Sequence, residues 1–354
     1  MNKKNLLIFG NYGGINIGDE VILAGLISVI NKKNWNIKVV STDPAFTTKE
    51  YKVQSVPHLP FGFRSFFRFD WKEALGEIKN ADLIMFGGGG LFQDREKRAF
   101  VMWSFFLKVC FWYKKRVILI GNSFDINQPK NIKKAEKLFK KVSFFSVRDK
   151  YSYDFLKQIN VPEAKMRLAT DCAFFLNKKQ PEKGIKKPIL FILHGELTQN
   201  HFSKLKSFKN YLKKKGEKIE FLAMQVRYSH DHDIARKLKI KCYRPKNQEE
   251  ARRIIASAKF VVSSRLHGAI LALISEVPFV AFSSMVKMKG FLKNVRLSRY
   301  FLEDDFRFED LRDIYERSMQ SNTKLKQKLK QRVEHEKEGG VGLILPDFFG
   351  EWVF

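Results

Sequence analysis

The sequence predicts an α/β protein with two Rossmann-like domains that face a cleft. Short apolar runs rich in Val, Ile and Phe alternate with longer segments of helical periodicity, and 354 residues exceed what one hydrophobic core usually serves. Between the halves, "NKKQPEKGIKKP" (residues 177–188) has a single large apolar residue and is predicted to be a linker. We expect an N-terminal domain over residues 1–178, a C-terminal domain over 188–303, and a helix with an apolar tail over 304–354.

Ten apolar runs are predicted to be strands. In the first half they are residues 6–10, 37–41, 82–88, 116–121, 144–149 and 166–171, and in the second half 189–194, 220–225, 259–265 and 278–283. Alternating strands and helices indicate parallel sheets, which bind ligands at the carboxyl ends of their strands. The residues that follow each strand are therefore the candidates for a functional site. Near the C-terminus, Gly339 and Gly340 are predicted to end a surface helix.

The net charge of +29 favours anionic partners, but it does not choose among them. No motif of the common nucleic-acid-binding modules accompanies the charge, so we do not expect a nucleic-acid partner. The three cysteines are far apart, which argues against a zinc site or a disulfide framework and indicates a reducing compartment. The first residues lack the apolar region of a signal peptide, and we expect a cytoplasmic protein.

Two aromatic segments suggest a membrane-facing surface. "AFVMWSFFLKVCFWY" (residues 99–113) is too short to span a bilayer, so a buried or interfacial helix is expected. Together with "FGFRSFFRFDW" (residues 61–71) it supports the hypothesis of peripheral contact with an anionic membrane, on the inner face of the plasma membrane.

A glycine-rich loop precedes the first helix. In "GNYGGINIGDEVILAGLISVI" (residues 10–30) a strand leads into this loop, and the helix is predicted to begin near Asp19. Its free amides would favour an anion. Gly13, Asn16 and Asp19 are the candidate contacts, although a helix N-cap is the structural alternative for Asp19.

A second glycine-rich stretch follows the third strand. In "ADLIMFGGGGLFQD" (residues 81–94) four consecutive glycines suggest close approach by a ligand, with Gly89 and Gly90 as the contacts. A tight strand-to-helix turn is the alternative.

Charged residues end two further strands. In "FSVRDKYSYDFL" (residues 145–156), Arg148 is suited to bind a carboxylate or phosphate, unless it forms a surface pair with Asp149. In "SSRLHGAILALISEVPFVAF" (residues 263–282), Arg265 and His267 follow a strand and Gly268 opens a helix. A cation, helix-start amides and an imidazole that exchanges protons near neutral pH together predict acid/base chemistry on a bound anion.

Three further candidates lie at or after the ends of other predicted strands of the second half. Lys287 follows the next strand and could meet a phosphate, or could be one more solvated lysine. Gln225 and Arg227, in "MQVRYSHDHD" (residues 224–233), are candidate substrate contacts. The His and Asp residues of this segment are expected to hold no metal, and Asp231 or Asp233 is predicted to cap the following helix.

In this order the motifs resemble the polysaccharide pyruvyl transferase family, from about Leu6 to Phe291. The marks are "GNYGGINIGDEVIL", "DLIMFGGGGLFQD", "SVRDKYSYDFLKQINV" with "TDCAFF", "FLAMQ", and "VVSSRLHGAILALISEVPFVAFSSMVKMKGF". The resemblance implies a GT-B-like arrangement, and phosphoenolpyruvate as co-substrate with no cofactor. It also implies that the pyruvyl group becomes a ketal on a sugar of a cell-surface glycan or its lipid-linked precursor.

The family's RLH signature falls on Arg265, Leu266 and His267. The resemblance implies that Arg265 binds the donor, that His267 is the catalytic acid or base, and that Arg148 is a second anion contact. Two alternatives remain: a GT-B glycosyltransferase that uses a sugar nucleotide, and a basic protein that binds nucleic acid or membrane without catalysis.

Overall fold

The protein is described from a computed structural model. The structure describes residues 3–14, 16–62, 71–96, 98–181, 187–194, 197–226, 230–283 and 286–344. These residues form two compact units. Unit 1 contains those within 1–14, 21–175 and 337–354, and unit 2 contains those within 15–20 and 176–336.

A seven-stranded parallel sheet forms the centre of unit 1. Its strands are β1 (Lys4–Phe9), β2 (Trp35–Ser41), β3 (Gln54–Pro57), β4 (Leu83–Gly89), β5 (Val117–Asn122), β6 (Phe144–Val147) and β7 (Met166–Leu168). The spatial order is β3-β2-β1-β4-β5-β6-β7, and every neighbouring pair is parallel. The order reverses between β1 and β4, which is the switch point of a Rossmann sheet.

Helices cover both faces of this sheet. They are α1 (Ile17–Val29), α2 (Pro44–Tyr51), α3 (Trp71–Asn80), α4 (Ala99–Trp112), α5 (Pro129–Phe139) and α6 (Lys150–Gln158). Successive residues of a strand point to opposite faces, so β1 contributes Leu7 and Phe9 to one buried cluster and Leu6 and Ile8 to the other. Helices α3 to α6 contribute to the first cluster, and α1 and α2 contribute to the second.

Unit 2 repeats the same topology. Its strands are β8 (Ile189–Ile192), β9 (Ile219–Leu222), β10 (Lys241–Tyr243), β11 (Phe260–Ser263), β12 (Phe279–Phe282) and β13 (Phe301–Leu302). The parallel order β10-β9-β8-β11-β12-β13 places a second switch point between β8 and β11. The helices that follow are α7 (Gln199–Lys214), α8 (His230–Leu238), α9 (Gln248–Ala256), α10 (Leu266–Ile274), α11 (Val286–Asn294), α12 (Phe308–Gln320) and α13 (Asn322–Ile344).

The predicted fold class is confirmed as an α/β protein with two parallel-sheet, Rossmann-like halves. All ten predicted strands are present, and the sequence missed β3, β10 and β13. These three lie at sheet edges and have four residues or fewer. An edge strand is paired on one side only, so it needs less apolar sequence than a central strand.

The C-terminal helix corrects one prediction. Gly339 and Gly340 do not end it, because α13 continues to Ile344. A helical glycine costs about 1 kcal/mol relative to alanine, and helices are stabilised mainly by packing. Here Leu325, Leu329 and Val333 are buried. The rest of the predicted apolar tail, residues 345–354, lies outside the described residues.

The most membrane-like segment of the sequence forms α4, a helix of 14 residues. One side of it packs into the core of unit 1 through Phe100, Trp103, Phe106 and Leu107. Within the described part of the chain, no helix has the length and hydropathy that a bilayer span requires.

His58 makes the stability of unit 1 sensitive to acid. Its ring stacks on Phe106 at 6.0 Å and lies edge-on to Trp103 at 6.1 Å, and burial lowers its pKa from 6.5 to about 4. The unfolded chain therefore takes up a proton below pH 6.5 while the folded protein does not. We expect the free energy of unfolding to fall by about 2 kcal/mol between pH 7.5 and pH 4.5 through this residue.

Urea unfolding at the two pH values checks this expectation. His58→Gln should reduce the loss of stability on acidification, because glutamine has no proton to take up. The control is His232→Gln on α8, where the side chain is exposed. An unchanged pH dependence in His58→Gln would contradict the assignment.

Candidate active site

The candidate site of unit 2 is built at the switch point between β8 and β11. Strand β11 ends at Ser263, Arg265 is the N-cap residue of α10, and His267 is in the first turn of that helix. Ser263 Oγ accepts a hydrogen bond from the Arg265 amide at 3.1 Å and donates one to the Arg265 carbonyl at 2.8 Å. The tight link between strand and helix fixes Arg265 and His267 at the strand's carboxyl end, as the sequence predicts.

Two acceptors orient the Arg265 guanidinium. Nε donates to the Leu193 carbonyl at the end of β8, at 3.1 Å, and Nη2 donates to Asp231 Oδ1. The side chain is 11% exposed. Among the described residues Nη1 has no acceptor. The arginine is thus held in one orientation and still has N–H groups for an anion.

Asp231 is the residue that sequence reasoning missed. Its side chain is fully buried, and while Oδ1 pairs with Arg265, Oδ2 accepts the amides of Met224 at 2.8 Å and Gln225 at 3.0 Å. The sequence predicts a helix cap here, but α8 begins at His230, and the carboxylate instead joins the end of β9 to Arg265. A usable signal was present, because Asp231 follows the strand that neighbours β8.

The backbone of the glycine-rich loop contacts the residues that bind Asp231. The Ile17 amide donates to the Met224 carbonyl at 2.8 Å, and Asn16 forms an antiparallel bridge with Gln225. Asn16 Oδ1 also accepts the Gly18 amide at 3.2 Å. Asn16 therefore caps α1. The N-cap alternative for Asp19 is wrong, since the helix begins two residues earlier at Ile17, and its predicted ligand contact stays a prediction.

Gly18 lies against the imidazole of His267. A Cβ atom at Gly18 would be 2.3 Å from Nδ1 and 2.9 Å from Cγ of His267. Contact at that distance is sterically forbidden, so the absence of a side chain at position 18 permits the observed position of the ring. The structure thus brings Asn16, Gln225, Arg265 and His267 together in unit 2, with Gly18 as an additional residue.

We predict that Gly18→Ala displaces the His267 ring and lowers turnover at least tenfold, because positioning errors of about 1 Å can reduce catalytic rates a hundredfold. Steady-state kinetics on the purified variant measures this. The matched control is Gly76→Ala in α3, where an added Cβ has no neighbour within 4 Å. Equal turnover in both variants would show that the ring position does not matter.

The remaining candidates of unit 2 have different surroundings. Leu266 is 7% exposed, so its side chain belongs to the core. Gly268 is also needed for packing, since a Cβ there would be 2.4 Å from Ser263 Oγ and 2.8 Å from Ile192 Cγ2. Lys287 is exposed in the first turn of α11. Arg227 lies outside the described residues.

Arg148, in unit 1, is buried in an ion pair. Its Nη1 is 2.5 Å from Asp171 Oδ2, and its Nε donates to Ser123 Oγ at 2.7 Å. The alternative of a surface pair with Asp149 is wrong, because Asp149 caps α6 by accepting the Ser152 amide at 2.8 Å and also accepts a hydrogen bond from Ser123. The predicted contact of Arg148 with a donor stays a prediction.

The four consecutive glycines have two uses. At Gly87 a Cβ would be 2.2 Å from the Tyr12 hydroxyl, and at Gly88 it would be 2.8 Å from Ile22 Cγ2. These two glycines therefore allow close packing within unit 1, whereas the predicted ligand contacts are the next two, Gly89 and Gly90. Gly89 has a φ of +96°, and a Cβ at the exposed Gly90 would meet nothing within 4 Å.

Gly13 is likewise explained by conformation and packing. It has a φ of +76°, and a Cβ there would be 2.1 Å from Ser41 Oγ. It lies in unit 1, whereas Asn16 and Asp19 lie in unit 2.

The family model of polysaccharide pyruvyl transferases matches residues 16–284, which is more than half of the chain. The chain belongs to the polysaccharide pyruvyl transferase family. The match begins at Asn16 and contains Arg148, Asp231, Arg265 and His267. No curated protein matches the sequence.

Solved structures with the same fold include nucleotide-sugar enzymes. A glycosyltransferase from Rickettsia africae is 12% identical, with 99% of this chain and 98% of that chain covered and a TM-score of 0.61. The Anabaena protein HepE in complex with UDP-glucose is 11% identical, with 96% of each chain covered and a TM-score of 0.61. A UDP-N-acetylglucosamine 2-epimerase is 11% identical, with coverages of 94% and 91% and a TM-score of 0.56. At these identities the similarity shows the fold of this chain alone.

Proposed function

We propose that this pyruvyl transferase moves the pyruvyl group of phosphoenolpyruvate onto two hydroxyls of one sugar, in a cell-surface glycan or its lipid-linked precursor, as a ketal. The observation that carries the proposal is the pairing of Arg265 with His267 at the β8/β11 switch point, in a chain of this family.

Donor binding is assigned to Arg265 and the start of α10. Phosphoenolpyruvate has a phosphate and a carboxylate, and both accept hydrogen bonds from guanidinium and helix-start amides. The Asp231 carboxylate balances the charge of Arg265. Directed hydrogen bonds and the α10 dipole, rather than net charge, therefore provide the attraction at this point.

The chemistry requires three proton transfers, one onto carbon and one from each of the two hydroxyls. Protonation of the methylene carbon turns it into a methyl group and leaves a cationic centre at C2, which the first sugar hydroxyl attacks. Phosphate then leaves, and the second hydroxyl attacks C2 to close the ketal. One hydroxyl proton replaces the proton used on carbon, and the other is released with phosphate.

His267 is the group proposed to move a proton in this sequence. An imidazole exchanges protons near neutral pH, and its ring is held between α10 and the backbone of Gly18. In this proposal Asn16 and Gln225, bridged beside it, contact the acceptor sugar. The predicted contacts of Arg148, Gly89, Gly90 and Lys287 with the donor belong to the same proposal.

Donor binding tests the proposal before an acceptor is known. Phosphoenolpyruvate should raise the thermal unfolding midpoint in a saturable way, by the equivalent of about 2.7 kcal/mol at a hundred times its Kd. UDP-glucose is the comparison ligand, and it should give no such protection. With a glycan present, release of inorganic phosphate should equal the gain of pyruvyl groups measured by mass spectrometry. If phosphoenolpyruvate neither protects the protein against heat nor releases phosphate, the proposed donor is refuted.

A second candidate is a glycosyltransferase with a sugar-nucleotide donor. The observation in its favour is the shared fold with the Anabaena protein that has UDP-glucose bound. It predicts protection by UDP-glucose, release of UDP, and no phosphate release from phosphoenolpyruvate.

A further inference from the structure

Helix α4 has an apolar stripe on its exposed side. Val101 and Phe105 are each 42% exposed, and Trp112 is 84% exposed. At 100° per residue these positions and the exposed Lys108 fall within a sector of about 60°. The opposite side of α4 is already buried in the core of unit 1. This stripe therefore lies outside the buried core cluster of unit 1.

A depression of about 380 Å³ adjoins the stripe. Among the described residues its lining includes 60–62, Val101, Phe105, Lys108 and Lys134. Phe61 packs against Phe105 with ring centroids 6.5 Å apart, which makes the floor apolar. The site thus combines an apolar floor with two ammonium groups.

The two lysines make this surface positively charged, so that it favours an anionic partner. Burial lowers the pKa of Lys134, and the neighbouring Lys108 ammonium lowers it further. Among the described residues, neither lysine forms an ion pair with a carboxylate. An anionic group in the depression would relieve this repulsion.

We propose that the α4 stripe docks unit 1 on the surface of an anionic lipid bilayer. Trp112 and Phe105 would enter the interfacial region, where aromatic rings partition well, while Lys108 and Lys134 would contact lipid phosphates. The proposal concerns a surface of unit 1 and does not rest on the proposed reaction in unit 2.

A second copy of the chain fits this surface less well. In a two-fold dimer the same patch meets itself, which would bring Lys108 and Lys134 against their own equivalents. A stable interface also needs about 800 Å² from each partner, whereas the stripe has three apolar side chains.

Vesicle binding by the full-length protein tests the proposal. Sedimentation with sucrose-loaded vesicles compares pure phosphatidylcholine with mixtures that contain phosphatidylglycerol. We expect binding to the anionic vesicles, a loss of about thirtyfold in Lys108→Gln/Lys134→Gln, and a loss of at least tenfold in Phe105→Ser/Trp112→Ser. Phe105, Lys108 and Trp112 are exposed and Lys134 is partly buried, and the thermal midpoint of each variant verifies folding.

Matched controls separate the patch from the general charge of the protein. Lys213→Gln/Lys214→Gln removes two exposed lysines from α7, and Tyr151→Ser removes another exposed aromatic side chain of unit 1. Both should bind like the wild type. Equal losses in the control variants, or unchanged binding in both α4 variants, would overturn the proposal, as would a dimer in solution that Phe105→Ser/Trp112→Ser dissociates.

Discussion

Replacing His267 by alanine is expected to lower the rate of pyruvyl transfer by about a hundredfold to ten-thousandfold, the range for loss of a general acid or base. The loss should appear in kcat, because in the proposed mechanism Arg265 and the start of α10 bind the donor without the imidazole. The ring is partly exposed and contacts the backbone of Gly18, so folding should be preserved. Phosphate release from phosphoenolpyruvate, measured over a range of donor concentrations, gives kcat and KM separately.

The matched control is His232→Ala, which removes an exposed imidazole from α8 of the same unit. It should have wild-type kinetics. If His267→Ala keeps the wild-type kcat, His267 has no role in proton transfer. If only KM rises, the residue binds substrate instead.

Replacing Asp231 by alanine is expected to lower the free energy of unfolding of unit 2 by about 3–5 kcal/mol, as is typical when one partner of a buried ion pair is removed. The substitution leaves the Arg265 guanidinium without its carboxylate and the amides of Met224 and Gln225 without their acceptor. Denaturant unfolding measures this loss. Activity should fall as well, since Arg265 loses one of the two groups that orient it.

Asp233→Ala provides the control two residues away. That carboxylate is 39% exposed and pairs with Arg236 at 3.1 Å on the surface of α8, so its removal should change stability by no more than about 0.5 kcal/mol. Asp231→Asn should fall between the two, because it keeps an oxygen for the amides but not the charge. Wild-type stability in Asp231→Ala would show that the ion pair is not a structural requirement.

The site in unit 2 depends on residues that are far apart in the sequence. Asn16 to Gly18 follow the first strand of unit 1 in the sequence. Their backbone nevertheless forms hydrogen bonds and a bridge with residues 224 and 225, and Gly18 contacts the ring of His267. A substitution in this loop is therefore expected to affect chemistry in the other half of the chain. Gly18→Ala addresses this dependence directly.

The sequence alone determined the two parallel sheets and the family. Most of the ten strands could be found because they are short apolar runs buried on both faces, and the edge strand β7 was found although two of its three residues are exposed. Arg265 and His267 could be placed at a strand's end for the same reason. The short edge strands β3, β10 and β13 lack this burial, and they were missed.

Only the tertiary structure decided which residues these groups meet. Asp231 is 34 positions from Arg265, and Asp171 is 23 positions from Arg148. Nothing in the local periodicity of the sequence connects such partners. Gly87, Gly88 and Gly268 are likewise explained by the neighbours that a Cβ would strike. The periodicity of a sequence indicates on which side of its own helix or strand a residue lies. Ion pairs and close approaches depend instead on how the chain brings separate elements together, which is a property of the whole fold.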